Sequence, residues 1–116
     1  MTAPGRHGLL DLYGCDENIL RDAARLQTIL EQAAAAARAT VLYRRFHTFG
    51  GAGGVTGVLL LAESHISIHT WPEHRYAAAD IFLCGHMPAQ AARRTIEHGL
   101  CARNTRWQSL IRGEAV

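Results

Sequence analysis

The sequence predicts an α+β fold: a two-layer sandwich with a largely antiparallel sheet and helices packed on one face. Apolar residues recur every three or four positions in two segments, which predicts two helices, and most of the remaining chain alternates as strands do. Several strands follow one another through short loops, which favours antiparallel pairing. A chain of 116 residues is long enough for one core, so we expect a single domain over residues 1–116.

The first half of the chain predicts a strand, a helix and a second strand. Gly8–Tyr13 is a short apolar stretch that ends at a glycine, and Thr40–His47 is rich in β-branched and aromatic residues. Between them, a helix is predicted to begin at Asp16, which suits an N-cap position. One face of this helix is apolar and is formed by Ile19, Ala23, Leu26, Leu30, Ala33 and Ala37.

The second half predicts three more strands, a helix and a last strand. Gly57–Ala62 is nearly all apolar, which is typical of a strand buried on both faces or central in a sheet. His65–His69 and Tyr76–Cys84 alternate in polarity, so each should bury one face. Pro88 suits the first turn of the second helix, and Arg106–Ile111 adds the last strand. This helix should bury Ala92, Ile96 and Leu100, and the aromatic residues assigned to the core are Tyr43, Phe46, Trp71 and Trp107.

Composition and charge exclude several classes of function. The formal net charge is only +2 and the arginines are scattered, without the basic stripe that nucleic-acid binding requires. The longest apolar run, Val58–Ala62, is far shorter than the roughly 20 residues that span a bilayer, and no hydrophobic signal core follows Arg6. We therefore expect a soluble, cytoplasmic protein that binds neither nucleic acid nor a membrane.

Two further kinds of site are disfavoured by the motifs. The glycine-rich stretch Gly50–Gly54 does not match GxGxxG and is not followed by a helical pattern, so a Rossmann nucleotide site is excluded. The three cysteines, Cys15, Cys84 and Cys101, form no CxxC pair, which argues against a disulfide framework or a zinc knuckle. We expect free thiols.

The densest group of reactive side chains comprises Glu63, Ser64, His65, His69, Glu73, His74, Asp80 and Cys84. Three hypotheses compete for it. Zinc could bind His65, His69 and either Cys84 or His86, although histidines four positions apart favour a metal on a helix and these lie in a strand pattern. Cys84 could be a nucleophile activated by His69. Alternatively, the Ser64 hydroxyl could attack the carbonyl before it, a self-processing reaction that gives every member of the group a task.

The same segment carries a resemblance to a known family. Glu63–Glu73 (ESHISIHTWPE), followed by Tyr76–Ala78 and Asp80–Gly85 (DIFLCG), resembles the prokaryotic S-adenosylmethionine decarboxylase family. Further similar segments are Gly5–His7, Asp11–Asp16, Ala39–Val41 and Phe46–His47. The likeness runs from about Gly5 to Gly113 in one register, apart from a short length difference in the glycine-rich loop. It is therefore a specific resemblance and not a lone motif.

The resemblance implies a self-processing proenzyme. Members of the family cut themselves before the serine that matches Ser64, so residues 1–63 would form the β chain and residues 64–116 the α chain. Ser64 would become an N-terminal pyruvoyl group, which forms a Schiff base with the substrate amine and withdraws electrons during decarboxylation. No metal or external cofactor is then expected. The implied substrate is S-adenosylmethionine, whose decarboxylated product donates aminopropyl groups in spermidine biosynthesis.

The resemblance also assigns the processing residues and the assembly. The cut separates Glu63 from Ser64, and His69 matches a histidine that assists processing by removing a proton. Thr56 stands where the family has a serine that supports the ester intermediate. Family members assemble as homodimers of the cleaved protomer, with sites near the subunit interface.

In catalysis, the resemblance implies a set formed by Ser64, His69 and Cys84. Cys84 matches the general acid that protonates the product carbon, a role open to a thiol. Phe49 matches an aromatic residue that stacks on adenine, and Glu73 matches a carboxylate that holds the ribose hydroxyls.

The alternation of the fourth strand makes a local prediction about the cleavage point. It places Ser64 on the same side as Ile66 and Ile68, opposite His69, so the chain must turn or bulge for the two to meet. We therefore expect a strained, irregular backbone at Glu63–Ser64, since an ester-forming acyl shift needs such strain.

Departures from the family pattern keep two alternatives open. The loop Phe49–Gly54 contains extra glycine, and His74–Arg75 replaces the more usual Tyr-Gly. Some relatives with the same pyruvoyl chemistry decarboxylate L-arginine or L-ornithine, whereas Phe49 and Glu73 favour S-adenosylmethionine. The other alternative is an unprocessed homologue that regulates an active subunit.

Overall fold

The structure is a computed structural model that describes residues 4–114. In this range the chain forms six strands and three helices. Their bounds, in chain order, are β1 Gly5–Tyr13, α1 Glu17–Leu20, α2 Ala23–Ala36, β2 Val41–Thr48, β3 Val55–Leu61, β4 Ser64–Trp71, β5 Tyr76–Cys84, α3 Ala89–Gly99 and β6 Asn104–Arg112. A single 3₁₀ turn, Pro72–His74, connects β4 to β5. None of the helices in this range is long and apolar enough to cross a membrane.

The six strands form one sheet in the order β2-β3-β4-β5-β1-β6. Every neighbouring pair is antiparallel. Helices α2 and α3 pack together on the face of the sheet that carries the buried residues. The predicted two-layer α+β sandwich, with an antiparallel sheet and helices on one face, is confirmed.

The core lies between the sheet and the helices. Strands β4 and β5 alternate strictly, so Ile66 and Ile68 are buried while their neighbours point away from the helices. Apolar burial at these positions is the main force that holds the layers together. The largest fully buried side chains are Leu10, Leu12, Leu20, Leu26, Ile29, Leu30, Leu59, Leu61, Ile66, Ile68, Ile81 and Leu83.

The predicted first helix is two helices. Asp16 caps α1, as expected, because its carboxylate accepts hydrogen bonds from the backbone N–H groups of Asn18 and Ile19. The helix then stops, and Asp22 caps α2 by accepting from the Arg25 N–H at 3.0 Å. An aspartate competes for backbone donors in this way and so favours a new helix start over a continuous helix.

Strand β3 meets one of the two alternatives that its apolar sequence predicts. It lies inside the sheet, but it is not buried on both faces: Val58 and Leu60 are 36% and 50% exposed. We call this uncovered side of the sheet the open face; its central strands contribute Thr56, Val58, Leu60, His65, Ser67, His69, Trp71, Tyr76, Ala78, Asp80, Phe82 and Cys84. The continuous apolar sequence of β3 therefore gives the strand two apolar faces. One face packs into the core of this chain, and the other is part of the open face.

The aromatic residues assigned to the core divide between the two faces. Phe46 and Trp107 pack against the core, as predicted. Tyr43 and Trp71 do not: Trp71 is exposed next to buried Thr70, and Tyr43 lies in a run of four exposed residues, 42–45. The open face thus presents large apolar side chains to solvent. Exposing them does not stabilise a monomer, and such patches are typical of interaction surfaces.

Candidate active site

The predicted cleavage point lies in the tight turn between β3 and β4. Leu61 pairs with Ser64 across the hairpin, so Ala62 and Glu63 form the loop. Glu63 has φ of 62°, in the left-handed region that costs a residue with a Cβ about 1–2 kcal/mol. The Ser64 hydroxyl is nearly buried and donates to the Ala62 carbonyl at 3.3 Å. The predicted strain at Glu63–Ser64 is confirmed at Glu63.

Cys84 is the thiol beside this turn. Its Sγ lies 3.9 Å from the Glu63 carbonyl oxygen and 3.9 Å from Glu63 Oε2. Together they line a cavity of about 550 Å³ formed by Pro4, Gly5, Glu63, Phe82, Cys84, Arg112 and Gly113. A space of this volume therefore adjoins the candidate scissile linkage and the candidate proton donor.

The other two thiols lie at the opposite end of the sheet, where the chain leaves β1 and enters β6. Cys101 is exposed there. Burial raises the pKa of the Cys15 thiol to about 11, with a smaller contribution from Cys101. Of the three cysteines, Cys84 is thus the one placed to exchange a proton near Ser64.

His69 and Thr56 meet each other but do not meet Ser64. They are paired across β3 and β4, and Thr56 Oγ1 lies 3.0 Å from His69 Nδ1. Ser64 and His69 are five positions apart on one strand, which separates them by about 17 Å and places them on opposite faces. Within one chain, the structure keeps the predicted base away from the predicted nucleophile.

Phe49 and Glu73 share the His69 end of the sheet. Phe49 precedes the glycine-rich loop, is half-exposed, and its ring centroid is 4.6 Å from that of His47. Glu73 is exposed in the 3₁₀ turn that follows β4. Both residues therefore accompany the Thr56–His69 pair and not the Ser64–Cys84 cavity.

The glycine-rich loop is well fixed. Its ends are joined because the Phe49 N–H donates to the Gly54 carbonyl at 2.8 Å. Its tip is held by Arg21, whose Nε donates to the Ala52 carbonyl at 2.9 Å. Gly54 packs against β4 so closely that a Cβ would lie 2.7 Å from the Thr70 carbonyl oxygen. These contacts position Phe49 beside the end of β4.

The sequence did not reveal a polar network at the centre of the open face. Asp80 accepts a hydrogen bond from the Ser67 hydroxyl at 3.2 Å, and its other carboxylate oxygen lies 3.2 Å from His7 Nε2. The His65 ring lies 6.1 Å from that of His7, centroid to centroid. Alternation alone could place these residues on one face, but only the register of three strands makes them neighbours.

An aromatic row at the His69 end was also missed. Trp71 stacks on Tyr76 with centroids 5.3 Å apart, and Tyr13 lies at the same distance on the other side. The Tyr76 hydroxyl donates to Asp11 at 2.6 Å. Burial, reinforced by Asp11, raises the pKa of Tyr76 to about 12, so its phenol stays protonated. Electron-rich rings beside a carboxylate suit a cationic ligand group.

The geometry removes support from two sequence hypotheses. His65 and His69 are about 13 Å apart along β4, too far to bind one zinc ion. Within residues 4–114, no three His, Cys, Asp or Glu side chains converge on a metal position. Cys84 and His69 belong to opposite ends of the sheet, so His69 cannot activate the thiol in the same chain.

Comparison with known proteins gives one consistent answer. A family model described as S-adenosylmethionine decarboxylase matches residues 6–113. An S-adenosylmethionine decarboxylase proenzyme from Prochlorococcus marinus (strain MIT 9313) is 48% identical over 110 residues, covering 93% of this chain and 86% of that protein. One from Parasynechococcus marenigrum is 55% identical over 89 residues, 75% of this chain and 69% of the relative.

The fold agrees with the sequence match. The crystal structure of the adenosylmethionine decarboxylase from Aquifex aeolicus VF5 superposes with a TM-score of 0.87 at 37% identity, covering 97% of this chain and 93% of that one. The family model spans nearly the whole sequence, including both ends of the sheet at which the candidate residues lie. The chain belongs to the S-adenosylmethionine decarboxylase family.

Proposed function

We propose that this protein is a self-processing, pyruvoyl-dependent S-adenosylmethionine decarboxylase whose product supplies aminopropyl groups for spermidine biosynthesis. The observation that carries the proposal is the left-handed Glu63 whose carbonyl oxygen lies 3.9 Å from the Cys84 thiol at a substrate-sized cavity. Cleavage between residues 63 and 64 would divide the single domain into a β chain, 1–63, and an α chain, 64–116.

The turn supplies what the cleavage requires. The Ser64 hydroxyl adds to the Glu63 carbonyl carbon, and transfer of the acyl group from nitrogen to oxygen gives an ester. Release of the left-handed Glu63 conformation favours this step, because strain present in the peptide is lost in the product. Removal of the residue 64 α-proton then expels Glu63 as a carboxylate, and hydrolysis of the remaining imine yields ammonia and the pyruvoyl terminus.

The residues around Ser64 fit a pyruvoyl group, which would supply an electron sink for the loss of carbon dioxide. The cavity beside the turn has room for the reacting part of a substrate, and the Phe82 side chain forms an apolar wall. The Cys84 side chain lines the same cavity, and from there a thiol can protonate the substrate Cα once carbon dioxide has left. The chain's own residues thus fix the site of protonation.

We further propose that two copies stack their open faces and complete each other's sites. A two-fold axis lying between the sheets and perpendicular to the strands would bring the His69 end of one copy over the Ser64 end of the other. Such stacking would cover Val58, Leu60 and Trp71, which are exposed in one chain. It would also bring the Thr56–His69 pair of one copy to the scissile linkage of the other copy. The pair cannot reach the linkage of its own chain.

The same arrangement would assemble the substrate site. Phe49 and Glu73 of one copy would face the Ser64 and Cys84 cavity of the other. In that site the Phe49 ring would stack on adenine, and the Glu73 carboxylate would accept hydrogen bonds from the ribose hydroxyls. The aromatic row ending at Trp71 would lie near the positively charged sulfonium, which the faces of aromatic rings attract.

The substrate can be tested directly. The purified protein should release carbon dioxide from S-adenosylmethionine, and release from L-arginine or L-ornithine should be at least about 100-fold slower because neither offers adenosine to Phe49 and Glu73. Borohydride added with the substrate should abolish activity by reducing the adduct with the protein carbonyl. Faster release from arginine or ornithine would reverse the substrate assignment, and no release from any of the three would favour a regulatory homologue.

Cys84→Ala separates processing from turnover. We expect this variant to be cut at residues 63/64 but to decarboxylate about 100-fold more slowly, because the missing thiol removes a positioned proton donor. Intact mass reports the cut, and carbon dioxide release reports turnover. Cys101→Ala is the matched control, since that thiol is exposed at the opposite end of the sheet. Normal turnover by Cys84→Ala would contradict the role of this cysteine.

A further inference from the structure

Arg112 lies in one row with the candidate proton donor. It is the last residue of β6 and pairs with Gly5 of β1, and Gly5 pairs on its other side with Cys84 of β5. Arg112 and Cys84 are therefore two strands apart, about 10 Å between Cα atoms, and their side chains project from the same face. A long arginine side chain can span this separation.

The middle position of the row has no side chain of its own and is covered by the Phe82 ring. Gly5 has no side chain, and an added Cβ would lie 2.7 Å from the Phe82 ring and 3.6 Å from the Cβ of Arg112. Any larger residue would displace the Phe82 ring, which is part of the cavity lining. Arg112, Phe82 and Cys84 therefore stand side by side along one wall of the cavity that adjoins the Glu63–Ser64 turn.

Among residues 4–114, Arg112 is the one basic residue that lines this cavity, which it shares with Glu63 and Cys84. Within residues 4–114, no carboxylate forms an ion pair with it. The same lining already contains the Glu63 side-chain carboxylate. Cleavage would add a second negative charge at this place, because the chain would then end at Glu63.

We propose that Arg112 binds the carboxylate that self-cleavage creates at the end of the β chain; this inference rests on the cleavage proposed above. When the ester breaks, the base takes the α-proton of residue 64 and the Cβ–O bond breaks. The electron pair of that bond leaves on the Glu63 carboxylate. A planar guanidinium accommodates both oxygens of such a group with two parallel hydrogen bonds. Arg112 therefore stabilises the departing group and speeds the elimination.

Binding of the substrate carboxylate is the competing role for this arginine. The first role acts during cleavage and the second acts only afterwards, because no substrate can react before the protein has been cut. An arginine that serves only the substrate would change KM and leave cleavage untouched. The rate of cleavage in the absence of substrate therefore distinguishes them.

The experiment follows cleavage of freshly synthesised full-length chain by intact mass, in a cell-free system without added S-adenosylmethionine. We expect Arg112→Ala to be cut about tenfold to 100-fold more slowly than the unchanged protein. Arg112→Lys should recover part of the rate. Arg106→Ala is the matched control, because Arg106 lies on the same strand and the same face but beside Asp11, and it should be cut at the normal rate.

Chemical rescue addresses the case in which Arg112→Ala is slow only because it folds poorly. Millimolar guanidinium should restore cleavage of Arg112→Ala, whereas sodium at equal ionic strength should not. Normal cleavage of Arg112→Ala, or slow cleavage that guanidinium leaves unchanged, would overturn the inference while the unchanged protein still cuts itself. Failure of the unchanged protein to cut would instead remove the proposed function and this inference with it.

Discussion

Ser64→Ala is expected to leave the protein as a single uncut polypeptide near 12.7 kDa with no decarboxylase activity. The change removes the hydroxyl that attacks the Glu63 carbonyl and, with it, the source of the reactive ketone. The effect should be complete and not partial, because no other hydroxyl occupies the turn between β3 and β4. Intact mass of the purified protein should give two fragments for the unchanged chain and one species for the variant.

Ser109→Ala provides the control for this comparison, since it removes an exposed serine hydroxyl from β6 and should be cut normally. Trapping adds a chemical test of the intermediate. Hydroxylamine added during cleavage should capture the ester as a hydroxamate at Glu63, and no such product should form from Ser64→Ala. A Ser64→Ala chain that is still cut at this position, or that still turns over, would end the proposal of serine-driven processing.

The sequence was sufficient to predict which residues of a strand or helix face the core. Alternation in β4 correctly placed Ile66 and Ile68 in the core and Ser64 beside them. The irregular backbone predicted at Glu63–Ser64 is present at Glu63, but it does not bring Ser64 to His69 as the prediction supposed. The sequence pattern failed at Asp22, where a local hydrogen bond to the backbone outweighs the three-and-four periodicity that continues through it. Periodicity reports which face is buried but not where a helix is interrupted.

The candidate site shows a different limit. The resemblance named Thr56, His69 and Ser64 together, yet a strand of β4's length holds Ser64 and His69 about 17 Å apart. Likewise the apolar sequence of β3 allowed either two covered faces or a central position in the sheet. The strand lies inside the sheet, and one chain covers only one of its faces. Both results have the same physical cause in the proposed assembly, since what covers the second face and completes the site would be another copy of the protein. The sequence contains the residues of both halves of the site, but it does not indicate whether they come from the same copy of the protein or from two copies.

Mixed dimers test this assembly most sharply. Ser64→Ala and His69→Ala should each remain uncut when produced alone, the first for lack of a nucleophile and the second for lack of a base. In a dimer of one chain of each kind, one of the two sites would contain Ser64 from the His69→Ala chain and His69 from the Ser64→Ala chain. That site has both groups, so co-production should restore cleavage.

The expected product is specific. Only the His69→Ala chain should be cut, because only it has the serine, and about half of its copies should be cut when equal amounts of the two chains pair at random. A short tag on one chain lets intact mass assign each fragment to its parent. The control pairs His69→Ala with the double variant Ser64→Ala/His69→Ala, which supplies no intact histidine and should leave all chains whole.

The pattern of cutting distinguishes the possible positions of the base. If His69 acted on Ser64 of its own chain, neither variant would be cut in any mixture, because every chain would lack one of the two groups. If His69 were dispensable, His69→Ala would be cut alone. Cleavage that appears only in the mixture, and only in the chain that kept Ser64, requires that the histidine cross between copies. The separation of the two residues along β4 makes that outcome the expected one, because a rigid strand bonded on both sides cannot fold back to bring its ends together.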